Sequence, residues 1–519
     1  MVNAAMMSAK LNDAKMPVVT VVAPQLGDTG WMTYAMKELA PRVGVRFRLV
    51  WHPLEVIAGG AACDAVLWYS PDLAPAPELA QAAVPVMAMW CAHPSGQAML
   101  RNEGRLEDER GAPWYAVCPG APAVVERGSR GACTVHADLF AMAWALLSRR
   151  EETTMAVVDA HGRVPAAPCW QVQAGDVGRP VVDEAARSLA ALLGEVLPPE
   201  NQPKPLTPWG GEVTAGGNAH GLPFAVCLTH DLDSIRKFQG FRATMGSLRR
   251  EAALHPGRWL SQATSSMVKG DPHWQALAGL CTPEWIGEQR PTFFVVTGGN
   301  HPLDPPYTLD PKALEGLRII PHAAGAPQAC IGLHPSYNAG RHPAQLREQI
   351  EAFQEVFGTA PQIARIHYLR WDPLRTPRML AESGFRVDST LGWSDRPGFR
   401  AGTCLPFALA HPLRNEALPI LEIPLVVMDT TLCLHQQLTV DAALDATRQL
   451  ALAVQKVGGV LTVLQHPHLA CDAPQDNWHR WWTVLVQELQ ATPGAQFMTL
   501  SEVAERWESG LNDYAMMDQ

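Results

Sequence analysis

The chain has 519 residues, of which 47% are hydrophobic and 18% charged, and its formal net charge is −10. A single core rarely keeps growing beyond roughly 250–300 residues, so this length predicts two domains. Because the chain is acidic and carries no sustained block of Lys or Arg, a nucleic-acid partner is disfavoured.

Eleven cysteines are dispersed along the chain, and no two stand in a Cys-x-x-Cys spacing. An odd, scattered set of this kind predicts reduced thiols in a cytoplasmic setting. The first sixteen residues lack the apolar stretch of a secretory signal. No run approaches the roughly 18 apolar residues that a membrane span needs. We therefore expect a soluble, cytoplasmic protein without a signal peptide or a transmembrane segment.

Taken in chain order, the first part alternates short β-type runs with helical ones. Residues typical of strands occupy 18–23, 65–69 and 84–89, whereas 138–149 is apolar nearly all round, as in a buried helix. This alternation predicts a smaller N-terminal α/β domain over residues 1–195. No pattern of catalytic residues stands out within it.

Residues 196–223 are rich in Pro and Gly, which predicts a linker. Over 224–519 the alternation of strand and helix becomes regular, with helical periodicity clearest over 344–357, 442–457 and 478–489. The candidate strands are 224–229, 291–297, 329–334, 362–368, 385–389, 421–427, 459–465 and 496–499. This pattern predicts an α/β fold whose C-terminal part is a distorted (β/α)7–8 barrel.

One strand of this barrel ends in paired carboxylates. Side chains alternate along a strand, so Asp231 and Asp233 of the stretch Leu-Thr-His-Asp-Leu-Asp face the same side. Active sites of such barrels lie at the carboxyl ends of the strands, where His334 and His466 also fall. An isolated Asp-x-Asp is more often a solvated turn, so the motif gains its weight from the residues that follow.

Four further segments follow in order: PTFFVV (291–296), IGLHPSYN (331–338), Arg365-Ile-His-Tyr368, and Leu464-Gln-His466, before a closing FMTLSEVAERW. Together with the Asp-x-Asp motif, they resemble the motifs of the polysaccharide deacetylase family. These are metal-dependent carbohydrate esterases with a chitooligosaccharide deacetylase homology domain. The resemblance covers roughly residues 224–510.

The resemblance implies a site for a divalent metal ion, zinc or alternatively cobalt or manganese. Asp233 and His334 would be ligands, and Asn338 stands where the family has a second histidine four residues after the first. An amide oxygen is a weaker zinc ligand than an imidazole. Either Asn338 completes a weaker site, or another residue such as His342 or His301 takes its place.

The resemblance also implies catalytic roles. Asp231 would be the general base, with Arg365 paired to it. The backbone N–H of Tyr368 would stabilise the oxyanion, and His466 would donate a proton to the leaving amine. The family's proline in this Arg-x-Pro-Tyr turn is replaced here by His367, a change expected to reshape the substrate groove.

The function implied is hydrolysis of carbon–nitrogen bonds, namely removal of N-acetyl (or O-acetyl) groups from an acetylated amino sugar in a glycan or its precursor. The alternative is a non-catalytic carbohydrate-binding or assembly protein on the same barrel. A glycoside hydrolase is a weaker possibility, because Asp231 and Asp233 have neighbours typical of metal ligands. Trp371 and Trp393 are candidate platforms for sugar rings. The long excursion over 234–290 is a candidate lid.

The first domain resembles the amino-terminal part of a longer bacterial subgroup of these deacetylases. The similar segments are DLFAMAWALLSRREE, VDAHGRVP and RPVVDEA, and the likeness extends to GFRAGTCLPF and LEIPLVVMDTTL. If the chain belongs with this subgroup, Asn338 is a property of the subgroup. The resemblance assigns no role to the first domain.

Overall fold

The computed structural model describes residues 16–24, 29–57, 63–92, 105–128, 133–209, 221–237, 270–305, 309, 329–473 and 477–516. The start of the chain before residue 16 and most of the proposed lid, residues 238–269, lie outside this part. All eleven cysteines are free. Every helix within the described ranges is too short or too polar to span a bilayer.

The N-terminal region is built on a six-stranded sheet with the order β2-β1-β3-β4-β8-β7. All neighbours in this sheet are parallel except β7 and β8. Its strands are β1 (Val18–Val22), β2 (Arg46–Val50), β3 (Ala65–Ser70), β4 (Val86–Trp90), β7 (Val125–Arg127) and β8 (Cys133–Val135), and a separate hairpin pairs β5 (Leu106–Glu107) with β6 (Pro113–Trp114). The expected smaller α/β unit is therefore present.

Within the described residues, this region has five helices: α1 (Gly30–Val43), α2 (Leu54–Ile57), α3 (Leu139–Leu147), α4 (Trp170–Gln173) and α5 (Val181–Val196). The prediction of a buried helix over 138–149 is confirmed, because all nine residues of α3 are buried. Asp138 caps this helix by accepting a hydrogen bond from the N–H of Ala141 at 2.8 Å.

The C-terminal region forms the expected distorted (β/α) barrel. Eight parallel strands follow the order β15-β13-β12-β11-β10-β9-β17-β16, and no pairing among the described residues joins β15 to β16, so the sheet curls without closing. The strands are β9 (Phe224–Asp231), β10 (Thr292–Val295), β11 (Cys330–Leu333), β12 (Ile363–Ala364), β13 (Val387–Asp388), β14 (Phe407–His411), β15 (Glu416–Glu422), β16 (Val427–Met428), β17 (Val460–Leu464) and β18 (Ala495–Phe497).

In the described part of the barrel region, eight helices accompany these strands: α6 (Pro272–Leu280), α7 (Pro283–Gln289), α8 (Pro343–Phe357), α9 (Thr376–Glu382), α10 (Val440–Val457), α11 (Leu469–Asp472), α12 (His479–Ala491) and α13 (Leu500–Met516). The predicted helices over 344–357, 442–457 and 478–489 correspond to α8, α10 and α12. Each of these three has one buried apolar face, which explains why its periodicity was readable.

Two strand predictions were wrong in extent. The run 362–368 contains only the two residues of β12, after which the chain enters the turn His367–Leu369. The run 421–427 is divided between the end of β15 and the start of β16. An antiparallel hairpin of β14 and β15 was missed. Long apolar runs do not reveal where a buried strand ends, because the residues after it are buried too.

The two regions are packed against each other over a continuous apolar core. A buried hydrogen bond and a buried ion pair also cross between them. Arg42 on α1 pairs with Asp183 on α5 at 3.1 Å and donates to the carbonyl of Pro406 at 3.1 Å. Glu152 pairs with Arg400 of the barrel region at 2.7 Å. The front region is therefore held in a defined position relative to the barrel.

The segment predicted as a linker is in contact with both regions. The N–H of Lys204 donates to Gly44 at 2.9 Å, and the indole N–H of Trp209 donates to Gly458 at 2.7 Å. Residues 210–220 lie outside the described part of the chain. The division into 1–195, 196–223 and 224–519 stays a prediction.

Candidate metal and catalytic site

Polar side chains from four barrel strands meet at the carboxyl edge of the sheet. Asp231 is the last residue of β9, His334 follows β11, Arg365 follows β12, and His466 comes two residues after β17. They surround a cavity of about 490 Å³, whose lining includes Asp231, Asp233, His334, His367, Tyr368 and His466. A cavity of this size is in the range of small-molecule sites.

Three side chains form a potential metal-binding cluster: Asp233, His334 and His367, with one ligand atom each and all three atoms within 4.8 Å of one another. Asp233 Oδ1 lies 3.4 Å from His334 Nε2 and 3.5 Å from His367 Nδ1. The two imidazole nitrogens are 3.0 Å apart. One carboxylate and two imidazoles are a typical protein ligand set for a catalytic divalent ion.

The tautomers of the two histidines fit a cation between them. His334 Nδ1 lies 2.5 Å from the carbonyl of Arg365, and His367 Nε2 lies 3.1 Å from the carbonyl of Leu303. A carbonyl can only accept, so each of these nitrogens carries a hydrogen, and in the neutral ring the opposite nitrogen presents its lone pair to Asp233. Asp233 Oδ1 is buried and has no hydrogen-bond donor among the described residues. Three acceptors facing one another fit a bound cation.

The carboxylate and the imidazoles of this cluster shift one another's pKa values. Burial works against the charged form, yet the imidazoles of His367, His334 and His466 hold the pKa of the Asp233 carboxyl well below its ordinary range. Burial also lowers the pKa of His367 below the usual imidazole value, which favours the neutral, ligating form. Against the effect of burial, Asp231 and Asp233 raise the pKa of His334, so a cation that binds there would displace a proton from this ring.

Asp231 is held by a buried arginine. Arg365 NH1 lies 3.1 Å from Asp231 Oδ1 and 2.7 Å from Thr229 Oγ1, while its Nε and NH2 donate to Ser389 at 2.8 and 2.9 Å. The guanidinium also lies over the ring of Phe294, at 4.4 Å from the centroid. Four hydrogen bonds fix the guanidinium plane, so the second oxygen of Asp231 is directed toward His334, at 3.6 Å.

His466 is oriented by a carboxylate that sequence reasoning did not assign. Asp429, directly after β16, accepts from the backbone N–H of His466 and from its Nδ1, both at 2.7 Å. His466 Nε2 is thereby turned to the cavity, 3.5 Å from Asp233 Oδ2. Burial disfavours the charged imidazole, but Asp429 and Asp233 outweigh it and raise the pKa of His466 to about 10.

Tyr368 lines the cavity from a strained turn. Its backbone has φ 60°, and Leu369 follows with φ 51°, so two consecutive non-glycine residues are left-handed. Such conformations cost about 1–3 kcal/mol each and persist only where the surroundings hold them. This turn carries both His367 and the backbone N–H of Tyr368.

Of the residues singled out from the sequence, Asp231, Asp233, His334, Arg365, Tyr368 and His466 come together at this site. Asn338 is directed elsewhere: its Oδ1 lies 3.4 Å from Arg370 NH1. His301 stacks on Tyr337, with ring centroids 4.2 Å apart, and His342 is exposed at the start of α8. The third side chain of the potential metal cluster, beside Asp233 and His334, is His367.

Trp371 and Trp393 are both buried. Trp371 lies beneath the guanidinium of Arg400, at 5.7 Å, and Trp393 packs with Val164 and Ala166 of the front region. Their prediction as sugar-stacking platforms is wrong for this conformation, since both rings are buried, Trp393 against residues of the front region.

Sequence reasoning missed three features of the site. His367 was noticed only as a departure from the family turn, although an imidazole directly after a strand is a ligand signal. Asp429 ends the apolar run of β16, a position that resembles that of Asp231. The third feature is a loop of the front region that contributes His161 and Arg163 to the cavity lining. No local sequence pattern marks that loop as part of a site.

Comparisons with known proteins leave the family open. Residues 97–198 match a family of unknown function, DUF7033. No curated protein matches the chain. The match lies in the front region and ends before the barrel begins.

Similar solved structures include two deacetylases. A putative polysaccharide deacetylase from Mycobacterium smegmatis is 20% identical with a TM-score of 0.37, over 56% of this chain and 93% of that one. A probable polysaccharide deacetylase from Pseudomonas aeruginosa PAO1 is 15% identical with a TM-score of 0.33, over 56% and 90%. The PuuE allantoinase is 13% identical with a TM-score of 0.36, over 59% and 94%. Values this low assign no chemistry, which has to come from the side chains of the site.

Proposed function

We propose that this protein is a metal-dependent hydrolase that removes N-acetyl (or O-acetyl) groups from an amino sugar in a glycan or glycan precursor. The observation that carries the proposal is the convergence of three groups in one cavity. These are the cluster Asp233–His334–His367, the carboxylate Asp231 with its arginine, and the imidazole His466 with its carboxylate. The motif resemblance supports the choice of an acetylated sugar.

In the proposed reaction, Asp233, His334 and His367 would hold a divalent ion, which would supply the Lewis acid that polarises the acyl carbonyl and acidifies water. Asp231 accepts the proton of the attacking water, as a general base whose orientation is set by Arg365. The contact of 3.1 Å between their side chains keeps one carboxylate oxygen occupied, so the other is the one available for the proton.

The remaining two groups act on the substrate. The backbone N–H of Tyr368 donates to the developing oxyanion, a contribution that is large in a site sheltered from water. His466 transfers a proton to the leaving nitrogen, so that an amine and not an amide anion departs. Asp429 keeps the proton-bearing Nε2 of His466 turned toward the cavity.

The test is elemental analysis of the purified full chain together with acetate release from N-acetylated and O-acetylated sugars. We expect stoichiometric zinc, cobalt or manganese, and turnover that a chelator removes. Asp233→Ala should abolish both the bound metal and the turnover. Asp445→Ala is the matched control, because Asp445 is an exposed carboxylate on α10 that pairs with Arg448.

Two results would contradict the proposal. Asp233→Ala protein with unchanged metal content and unchanged turnover would rule out the metal cluster. Wild-type protein that binds acetylated glycans in the presence of a chelator and never releases acetate would favour the non-catalytic binding protein.

A further inference from the structure

A short loop of the front region reaches the barrel cavity. Residues 159–163, here called the 159–163 loop, lie within the segment 97–198 that matches DUF7033. Asp159 closes the loop: its Oδ1 accepts from the N–H groups of His161 and Arg163 at 2.9 Å each, and its backbone N–H donates to the carbonyl of Arg163 at 2.9 Å. The loop therefore has a defined shape of its own.

Two arginines of the barrel hold this loop in place. Arg341 donates to the carbonyl of Gly162 at 2.8 Å, and Arg370 donates to the carbonyl of His161 at 2.9 Å. The His161 ring lies 4.6 Å from the ring of Tyr368. Backbone carbonyls that accept from charged donors across an interface specify one docking position.

The contact that bears on catalysis is made by Arg163. Its NH1 donates to the carbonyl of Tyr368 at 2.8 Å, and its Nε is fixed by Asp159 Oδ2 at 2.7 Å. Tyr368 is the first of the two left-handed residues described above, and the turn also carries His367. One buried guanidinium from the front region thus stabilises the backbone that places both a ligand of the metal cluster and the oxyanion N–H.

We propose that the front region is an integral part of the catalytic site, and that Arg163 is a positioning residue for the turn His367–Leu369. This inference rests on the proposed function for its catalytic readout only. Without Arg163, the carbonyl of Tyr368 loses its charged donor and the turn is free to relax toward negative φ. Such a change moves His367 and the Tyr368 N–H together.

The experiment compares Arg163→Ala with wild type in the full chain. We expect kcat to fall by about 10²-fold with a much smaller change in KM, since small misplacements of reacting groups cost about that much. Zinc affinity, measured by calorimetry with zinc alone, should fall by about 10-fold or more. Amide hydrogen exchange at residues 366–370 of the metal-free protein should become faster. Arg163→Lys should be intermediate in all three.

Arg127→Ala is the matched control. Arg127 is also an arginine of the front region with carboxylate partners, Glu109 and Glu195, but it is exposed on the surface. None of the three readouts should change. If Arg163→Ala behaves like this control, the 159–163 loop is only a packing contact and the inference is wrong.

A rescue variant separates positioning from simple loss of structure. Glycine adopts left-handed φ at little cost, so Tyr368→Gly should weaken the dependence on Arg163. The double variant Arg163→Ala/Tyr368→Gly should bind zinc more tightly than Arg163→Ala alone. If the losses of zinc affinity in the two single variants simply add up in the double variant, the inference is wrong.

Failure of the proposed function gives a different result. If wild-type protein binds zinc but deacetylates no sugar, the proposed reaction is wrong. The zinc affinities and exchange rates of the Arg163 and Arg127 variants still decide whether Arg163 positions the turn.

Discussion

In each of the two large sheets of this protein a carboxylate follows the end of a strand, Asp138 in one and Asp233 in the other, and the two are used in opposite ways. Asp138, which follows β8, is fully buried and accepts from the hydroxyl of Tyr69 at 2.6 Å and from the N–H groups of Ala92 and Ala141 at 2.9 and 2.8 Å. Asp233, which follows β9, has a buried oxygen with no hydrogen-bond donor among the described residues.

The difference separates a structural carboxylate from a ligand. A buried acceptor that is left unpaired costs about 1–3 kcal/mol, so folding alone gives no reason to place one opposite two imidazole lone pairs. At Asp138 the donors are all supplied by the protein. At Oδ1 of Asp233 the neutral imidazoles of His334 and His367 supply acceptors, and a cation is the partner that fits this arrangement. Polar side chains at a strand end therefore indicate function only when their partners do not satisfy one another.

Of the substitutions that test this difference, His367→Ala is expected to cause the largest loss of zinc binding and activity. Replacing His367 by Ala should remove stoichiometric zinc and all deacetylation, a greater loss than the 10–100-fold typical of removing an outer partner of a metal ligand. Asn338→Ala should keep its zinc, because the Asn338 amide is directed to Arg370. Zinc titration of both variants decides between the two positions. Loss of zinc in the Asn338 variant alone would restore the ligand expected from the sequence.

A smaller effect is expected at Asp429. Asp429→Ala should lower kcat by about 10–10²-fold, less than the 10²–10⁴-fold expected from His466→Ala, because the imidazole remains and only its orientation is lost. Zinc content should not change, since Asp429 contacts His466 and not the metal cluster. Steady-state kinetics with metal analysis provides the check. A loss of metal in this variant would place His466 among the ligands.

The smallest effect on activity is expected at Asp138, although stability should fall. Asp138→Ala leaves the Tyr69 hydroxyl and two N–H groups without their acceptor, so we expect the free energy of unfolding to drop by about 2–4 kcal/mol. Zinc content and turnover per folded molecule should equal those of wild type. Denaturant unfolding measures the change in the free energy of unfolding. Asp138→Asn keeps an acceptor, so its free energy of unfolding should fall by less. Reduced zinc binding in folded Asp138→Ala protein would break the distinction between the two carboxylates.

Much of the architecture was predictable because it depends on local patterns. The helices α8, α10 and α12 have an apolar stripe, and β9 is followed by alternating carboxylates. The hairpin of β14 and β15 was not predictable in this way. It forms the edge of the barrel sheet against the front region, where Tyr34 donates to the carbonyl of Ala408 at 2.7 Å. Contacts of that kind override local propensity.

Local patterns were enough to predict which side chains stand at the strand ends, because alternation along a strand and the order of motifs are local properties. The partners of these side chains follow from the tertiary structure. His367 meets His334 across 33 residues, Asp429 meets His466 across 37, and Arg163 meets Tyr368 across 205. Curling a parallel sheet brings distant strand ends to one edge, and docking the front region adds a loop there. Neither distance nor orientation across that edge is encoded in any local pattern.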